Sequence, residues 1–115
     1  MGSTIEDQRL DAVFTALSDR TRRDIVARLS AGEATVTELA QRYAMSMQAV
    51  SQHIRVLERS GLISQGRHRQ TRPCRLEPAA LEVAVSWIEQ SRRTWSERMD
   101  RLETHLAQLQ QGKSQ

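Results

Sequence analysis

Ten residues, "SMQAVSQHIR" from Ser46 to Arg55, concentrate side chains that donate and accept hydrogen bonds: Ser46, Gln48, Ser51, Gln52, His53 and Arg55, with Ala49 among them. Catalysis would require a nucleophile, a base and an orienting group converging to within about 3 Å of a reacting atom. The stretch has no carboxylate nearer than Glu58 and no thiol, and no such trio can be assembled from spacings elsewhere in the chain. Recognition of a polar surface asks less: amides, hydroxyls and a guanidinium on one exposed face. A zinc site needs about four ligands, whereas His53, His68 and His105 fall on three different predicted elements. No metal, cofactor or enzymatic activity is therefore expected.

The charge distribution points to what that face could meet. The net charge is +3 over 115 residues. Residues 1 to 45 carry six Arg against seven acidic residues, whereas residues 46 to 76 carry Arg55, Arg59, Arg67, Arg69, Arg72 and Arg75 against Glu58 alone. A basic segment on a near-neutral body suits a polyanion, although a solvated surface has the same composition. Apolar residues at 38% and charged residues at 27% fit one soluble globular domain. No apolar run reaches the roughly 18 to 20 residues that span a bilayer, and "MGSTIEDQRLD" lacks the apolar stretch of a secretory signal. A bacterial-type cytoplasm is the expected location.

The elements that must position these residues follow from periodicity and caps. Asp7 to Leu17 is read as a first helix with Leu10, Val13, Phe14 and Leu17 on one face. A second helix starts after Ser18 or Asp19, buries Ile25, Val26 and Leu29, and stops near Gly32. A third opens on Thr35, spaced with Glu38 as a capping box, or on Thr37. Only two or three residues around Ala44 and Met45 then precede a fourth helix, the spacing of a helix-turn-helix corner. Ser46 caps that helix, Met47, Val50, Ile54 and Leu57 form its inner stripe, and Gly61 ends it. Residues 62–65 and 73–76 read as a surface hairpin with the tip "GRHRQTR", Pro73 suiting an edge strand or a bulge.

Pro78 then starts a helix running to about Gln111, with 112–115 as a loose tail. Its apolar positions, Leu81, Val85, Ile88, Trp95, Met99, Leu102, Leu106 and Leu109, repeat at four and three residues, interrupted by Arg92. About 30 helical residues extend roughly 45 Å, longer than so small a core can cover. Part of the stripe must therefore find a partner, and self-association is favoured over folding back on the chain's own core.

This order of elements is a mainly α winged helix-turn-helix, four helices, a hairpin and a long C-terminal helix, with residues 7–76 as the DNA-binding core and 78–111 as the dimerisation helix. The segments "ALSDRTRRDIVARL", "TVTELAQRYAMSMQAVSQHIRVLERSGLI" and "RRTWSERMDRLETHL" resemble the ArsR/SmtB family of bacterial transcriptional repressors over nearly the whole chain. The most specific part is the run Ser46, Ser51, His53, Ile54 and Leu57 followed by Gly61, Leu62 and Ile63. Two features depart from the family. Arg20 stands where a proline is usual, and the metal-binding Cys-x-Cys and Asp–His–Glu sets are missing, since "EATVTEL" has no thiol and His105 stands alone on the last helix. The resemblance implies a homodimeric regulator, in all expectation a repressor, bound to an inverted-repeat operator whose half-sites lie about 34 to 36 Å apart. A protein-interaction or non-specific nucleic-acid-binding module is the alternative.

On that reading Gln48, Ala49, Ser51, Gln52 and Arg55 face a major groove, where Gln can pair with adenine and the Ala methyl can meet a thymine methyl. Thr37 and Ser46 contact phosphates, and Arg67, Arg69 and Arg72 follow the DNA backbone or enter a minor groove. His53 either contacts DNA or is satisfied between helix and wing. Leu10, Val13 and Phe14 combine with Trp95, Met99, Leu102 and Leu106 in the dimer surface. Cys74 is either a small apolar residue in a strand or a redox switch whose thiolate is favoured by Arg72 and Arg75. The inducing signal and the operator sequence are not readable.

Overall fold

The computed structural model describes residues 4–66 and 72–113. The elements in order are α1 (Ile5–Leu17), α2 (Arg20–Ser30), β1 (Ala34–Thr35), α3 (Val36–Ala40), α4 (Met47–Arg59), β2 (Ile63–Gln65), β3 (Pro73–Leu76) and α5 (Pro78–Lys113).

Local hydrogen bonds explain where each helix begins. Thr4 caps α1: its Oγ1 accepts from the Asp7 amide at 3.0 Å while the Asp7 carboxylate accepts from the Thr4 amide at 3.3 Å. The helix therefore starts two residues before the point the apolar spacing indicates. Asp19 caps α2 by accepting from the Arg22 amide at 3.0 Å, while the Ser18 hydroxyl donates back to the Thr15 carbonyl at the end of α1. Thr35, not Thr37, caps α3 in a capping box with Glu38. The amide of Thr35 and its hydroxyl hold the Glu38 carboxyl below the usual carboxylate range.

A three-stranded antiparallel sheet in the order β1-β3-β2 completes the wing. Two expectations change here. The two-residue strand β1 pairs Ala34 with Cys74 and Thr35 with Pro73, so β3 is the central strand rather than half of an isolated ribbon. Pro73 is tolerated because it is the first residue of β3, and its carbonyl still accepts from the Gly66 amide at 2.9 Å.

The chain divides into two units, one ending at Ala84 and one beginning at Val85. In the first, Val13, Ile25, Leu39, Val50, Ile54, Leu57, Leu62, Ile63 and Cys74 are fully buried together. Val13 is 1% exposed, so it belongs to this core and is withdrawn from the expected dimer surface. Leu10 packs partly against the same core and Phe14 is 37% exposed.

The second unit is the remainder of α5. Its helix continues to Lys113, so residues 112 and 113 are not tail. Along it Val85, Ile88, Trp95, Met99, Leu102, Leu106 and Leu109 are between 43% and 67% exposed. No helix among the described residues is long and apolar enough to cross a membrane.

Candidate nucleic-acid interface

The helix carrying the polar cluster is fixed at both ends. Ser46 Oγ accepts from the Ala49 amide at 3.1 Å, which leaves its own O–H free to donate outward. At the other end Gly61 adopts φ +83°, its amide donates to Glu58 O at 3.0 Å and the Leu62 amide to Leu57 O at 3.1 Å. That pair of bonds is a Schellman ending, which needs a residue tolerant of the left-handed region. Between the ends Val50, Ile54 and Leu57 are at most 1% exposed, so the helix can present only its opposite face.

That face carries Gln48, Gln52 and Arg55 exposed, with Ser51 and Ala49 partly exposed beside them. A cleft of about 460 Å³ runs between α4 and the wing, lined by Val36, Met47, Gln48, Ser51, Ile54, Arg55, Gln65 and Arg72. The fold thus brings Arg72 to the residues of α4 across more than fifteen positions of chain. Met47 is 48% exposed, which corrects its assignment to the inner stripe: it is the first residue of α4, beyond the edge of the core. Arg67 and Arg69, expected at the wing tip, lie outside the described residues, as does His68.

The turn before α4 is longer than expected, because α3 ends at Ala40 and the Gln41 amide closes its last turn. Thr37 sits exposed in the first turn of that five-residue helix, next to Val36 of the cleft lining but not itself part of it. The corner is held to α2 by Tyr43, whose hydroxyl donates to Asp24 Oδ2 at 2.5 Å. Burial and that carboxylate push the Tyr43 phenol up to about 12, so it remains a donor at neutral pH.

His53 is half-buried and does not face the wing. Its Nδ1 lies 3.2 Å from Nη1 of Arg22 on α2 and 3.8 Å from Oδ2 of Asp19, the residue that caps α2. Of the two expectations, a DNA contact or a residue satisfied between helix and wing, the second is corrected: the partners of Nδ1 are Arg22 and Asp19. Asp19, whose carboxyl is held low mainly by the Arg22 amide, completes the group.

Cys74 is also reassigned. Its side chain is fully buried in the central strand, and burial followed by the nearby Glu58 charge pushes its thiol up to about 11. The neighbouring Arg75 points to the other face of the strand, toward Glu33 at 3.6 Å and Glu77 at 3.9 Å. A thiolate is therefore disfavoured, against the redox-switch reading. Among the described residues no three His, Cys, Asp or Glu side chains cluster to hold a metal ion.

Among the described residues the arrangement offers two glutamine amides, two hydroxyls and two guanidinium groups over one convex helix and its adjoining cleft. Residues 17–65 match the model of a helix-turn-helix domain family. The chain is similar to the transcriptional repressor SdpR of Bacillus subtilis, 30% identical over 79 residues that span 69% of this chain and 88% of that protein. It is also similar to the HTH-type transcriptional regulator Rv2034 of Mycobacterium tuberculosis, 41% identical over 71 residues, 62% of this chain and 66% of that one. A crystal structure described as an ArsR family transcriptional regulator superimposes with a TM-score of 0.75 at 33% identity, covering 84% of this chain and 97% of the other. These relatives are transcriptional regulators, not enzymes.

Proposed function

The chain belongs to the ArsR family of winged helix-turn-helix transcriptional regulators, and on that premise we propose that it is a homodimeric repressor of the bacterial cytoplasm that reads an inverted-repeat operator through α4. The observation that carries this is the polar row Gln48, Ser51 and Arg55, lining one cleft with Arg72, with Gln52 exposed beside them and a fully buried stripe behind. A helix so held can enter a major groove by its polar face only. Gln48 and Gln52 supply bidentate amides for adenine edges, Ser51 an adaptable hydroxyl, Ala49 an apolar contact, and Arg55 a fork for guanine or phosphate. Met47, exposed at the start of the same helix, adds an apolar contact of the kind that suits a thymine methyl.

Phosphates are met by the Ser46 hydroxyl, by Thr37, and by Arg72 with Arg67 and Arg69 of the wing. The exposed Trp95, Met99, Leu102 and Leu106 of α5 pair with the same residues of a second copy, and Leu10 and Phe14 of α1 make a contact of their own with that copy. The kinship with SdpR, itself a repressor, supports repression over activation.

Mapping the genomic DNA bound by the protein tests this reading. Enrichment of a palindromic site, lost on replacing Gln48 and Gln52 together by Ala, is expected. Equal affinity for that site and for random DNA would favour a non-specific nucleic-acid module instead.

A further inference from the structure

Arg22, in the first turn of α2, spends its guanidinium on two other helices. Nε donates to Ala16 O at 2.7 Å and Nη2 to Thr15 O at 3.2 Å, both in the last turn of α1. Nη1 reaches His53 Nδ1 at 3.2 Å, in the middle of α4. The Arg22 backbone amide is itself tied to Asp19 at the start of α2. A cation suits the carbonyl end of α1, so the first two bonds seat the guanidinium and the third is what it does from that seat. Arginine has only donors, so in this bond Nδ1 is the acceptor.

The consequence concerns rotation of α4 about its own axis. Val50, Ile54 and Leu57 hold the helix down through apolar contacts, which are non-directional. The bond to Nδ1 is directional, and it comes from a donor fixed on a different helix. At the roughly 5 to 6 Å outer radius of a helix, a rotation of about 10° carries a side-chain tip sideways by about 1 Å. That exceeds the tolerance of a hydrogen bond to a base edge.

We infer that Arg22 and His53 are positioning residues for base readout: Arg22, seated on the end of α1, sets the rotation of α4 through His53 Nδ1 and so sets operator preference without contributing a base contact. The inference rests on the reading that α4 recognises bases.

The experiment measures affinity for the mapped operator and for a random duplex of equal length at one moderate salt concentration, in the full-length protein. The variants are Arg22→Met, His53→Leu, both together, and His53→Asn, whose Oδ1 can take the place of Nδ1 as acceptor. Each single apolar change is expected to lower operator affinity about tenfold, the scale of one bond to a charged donor, with random-duplex affinity changed far less. The double variant should be no worse than either single one, because both remove the same bond. His53→Asn should recover most of the loss.

Parallel loss on operator and random DNA, additive losses, or His53→Asn no better than His53→Leu would each overturn the inference. Should Arg22→Met fail to fold, checked by circular dichroism, the comparison of His53→Asn with His53→Leu decides alone. The Gln48→Ala, Gln52→Ala double variant separates the two levels. If it keeps operator preference, base reading by α4 is wrong; if it loses preference while the Arg22 and His53 variants keep it, only the positioning role is wrong.

Discussion

Replacing Leu102 and Leu106 by Glu should convert the protein to a monomer. The two leucines are 49% and 50% exposed in the single chain, so about half of what burial can contribute is still unused. Burying a leucine fully is worth about 1.5 to 3 kcal/mol, which leaves about 1 kcal/mol for each of these side chains at an interface. A two-fold axis makes every change count twice, so the four leucines of a dimer contribute about 4 kcal/mol, or roughly a thousandfold in the dissociation constant. Carboxylates facing one another across the axis add repulsion to that loss. Glu is as good a helix former as Leu, and neither site is in the core of the first unit, so helicity should persist. Sedimentation equilibrium over a range of protein concentrations measures the effect, with circular dichroism as the check on folding. A variant that sediments as a dimer with an unchanged dissociation constant would refute the assignment of this face.

Four further outcomes are expected. Arg72→Ala should weaken binding to all duplexes alike and lower the slope of log affinity against log salt by about 0.9, one phosphate contact, as read from titrations at several salt concentrations. Cys74 should resist alkylation in the folded protein: with its thiol pushed to about 11, only about one molecule in ten thousand is a thiolate at pH 7, so oxidants should not alter operator affinity. The same raised value sets a pH dependence, since the unfolded thiol ionises near 9.0 and the folded one near 11; this contribution is complete below pH 9 and is lost as pH rises toward 11, measurable by denaturant titration. Ser46→Ala removes the acceptor of the Ala49 amide and should cost about 1 kcal/mol of stability, lowering Tm by about 4 °C in calorimetry.

What could be read in the sequence was whatever is decided locally. The caps at Asp19, Thr35 and Ser46, the glycine ending α4 and the buried stripe Val50, Ile54, Leu57 each depend on residues three or four positions apart. What could not be read depends on partners far along the chain. Strand β1 is two residues long and exists only because β3 pairs with it, so it has no period of its own. His53 finds its partner 31 residues away, and its spacing on α4 is compatible with either side of the helix. The arginines flanking Cys74 suggested an activated thiol, but alternation along a strand turns Arg75 away while packing brings Glu58 near. Met47 continues the apolar spacing of α4 one step past the core's edge, and letter spacing alone does not mark where that edge lies.

Base reading by α4 is tested most directly by competition between the mapped operator and a shuffled duplex of the same composition for the wild-type protein, at a salt concentration where phosphate contacts are partly screened. A preference of about a thousandfold or more for the operator, reduced by the Gln48→Ala, Gln52→Ala variant with no change in the salt slope, is the predicted result. Equal binding of the two duplexes, or a preference indifferent to Gln48 and Gln52, would contradict it.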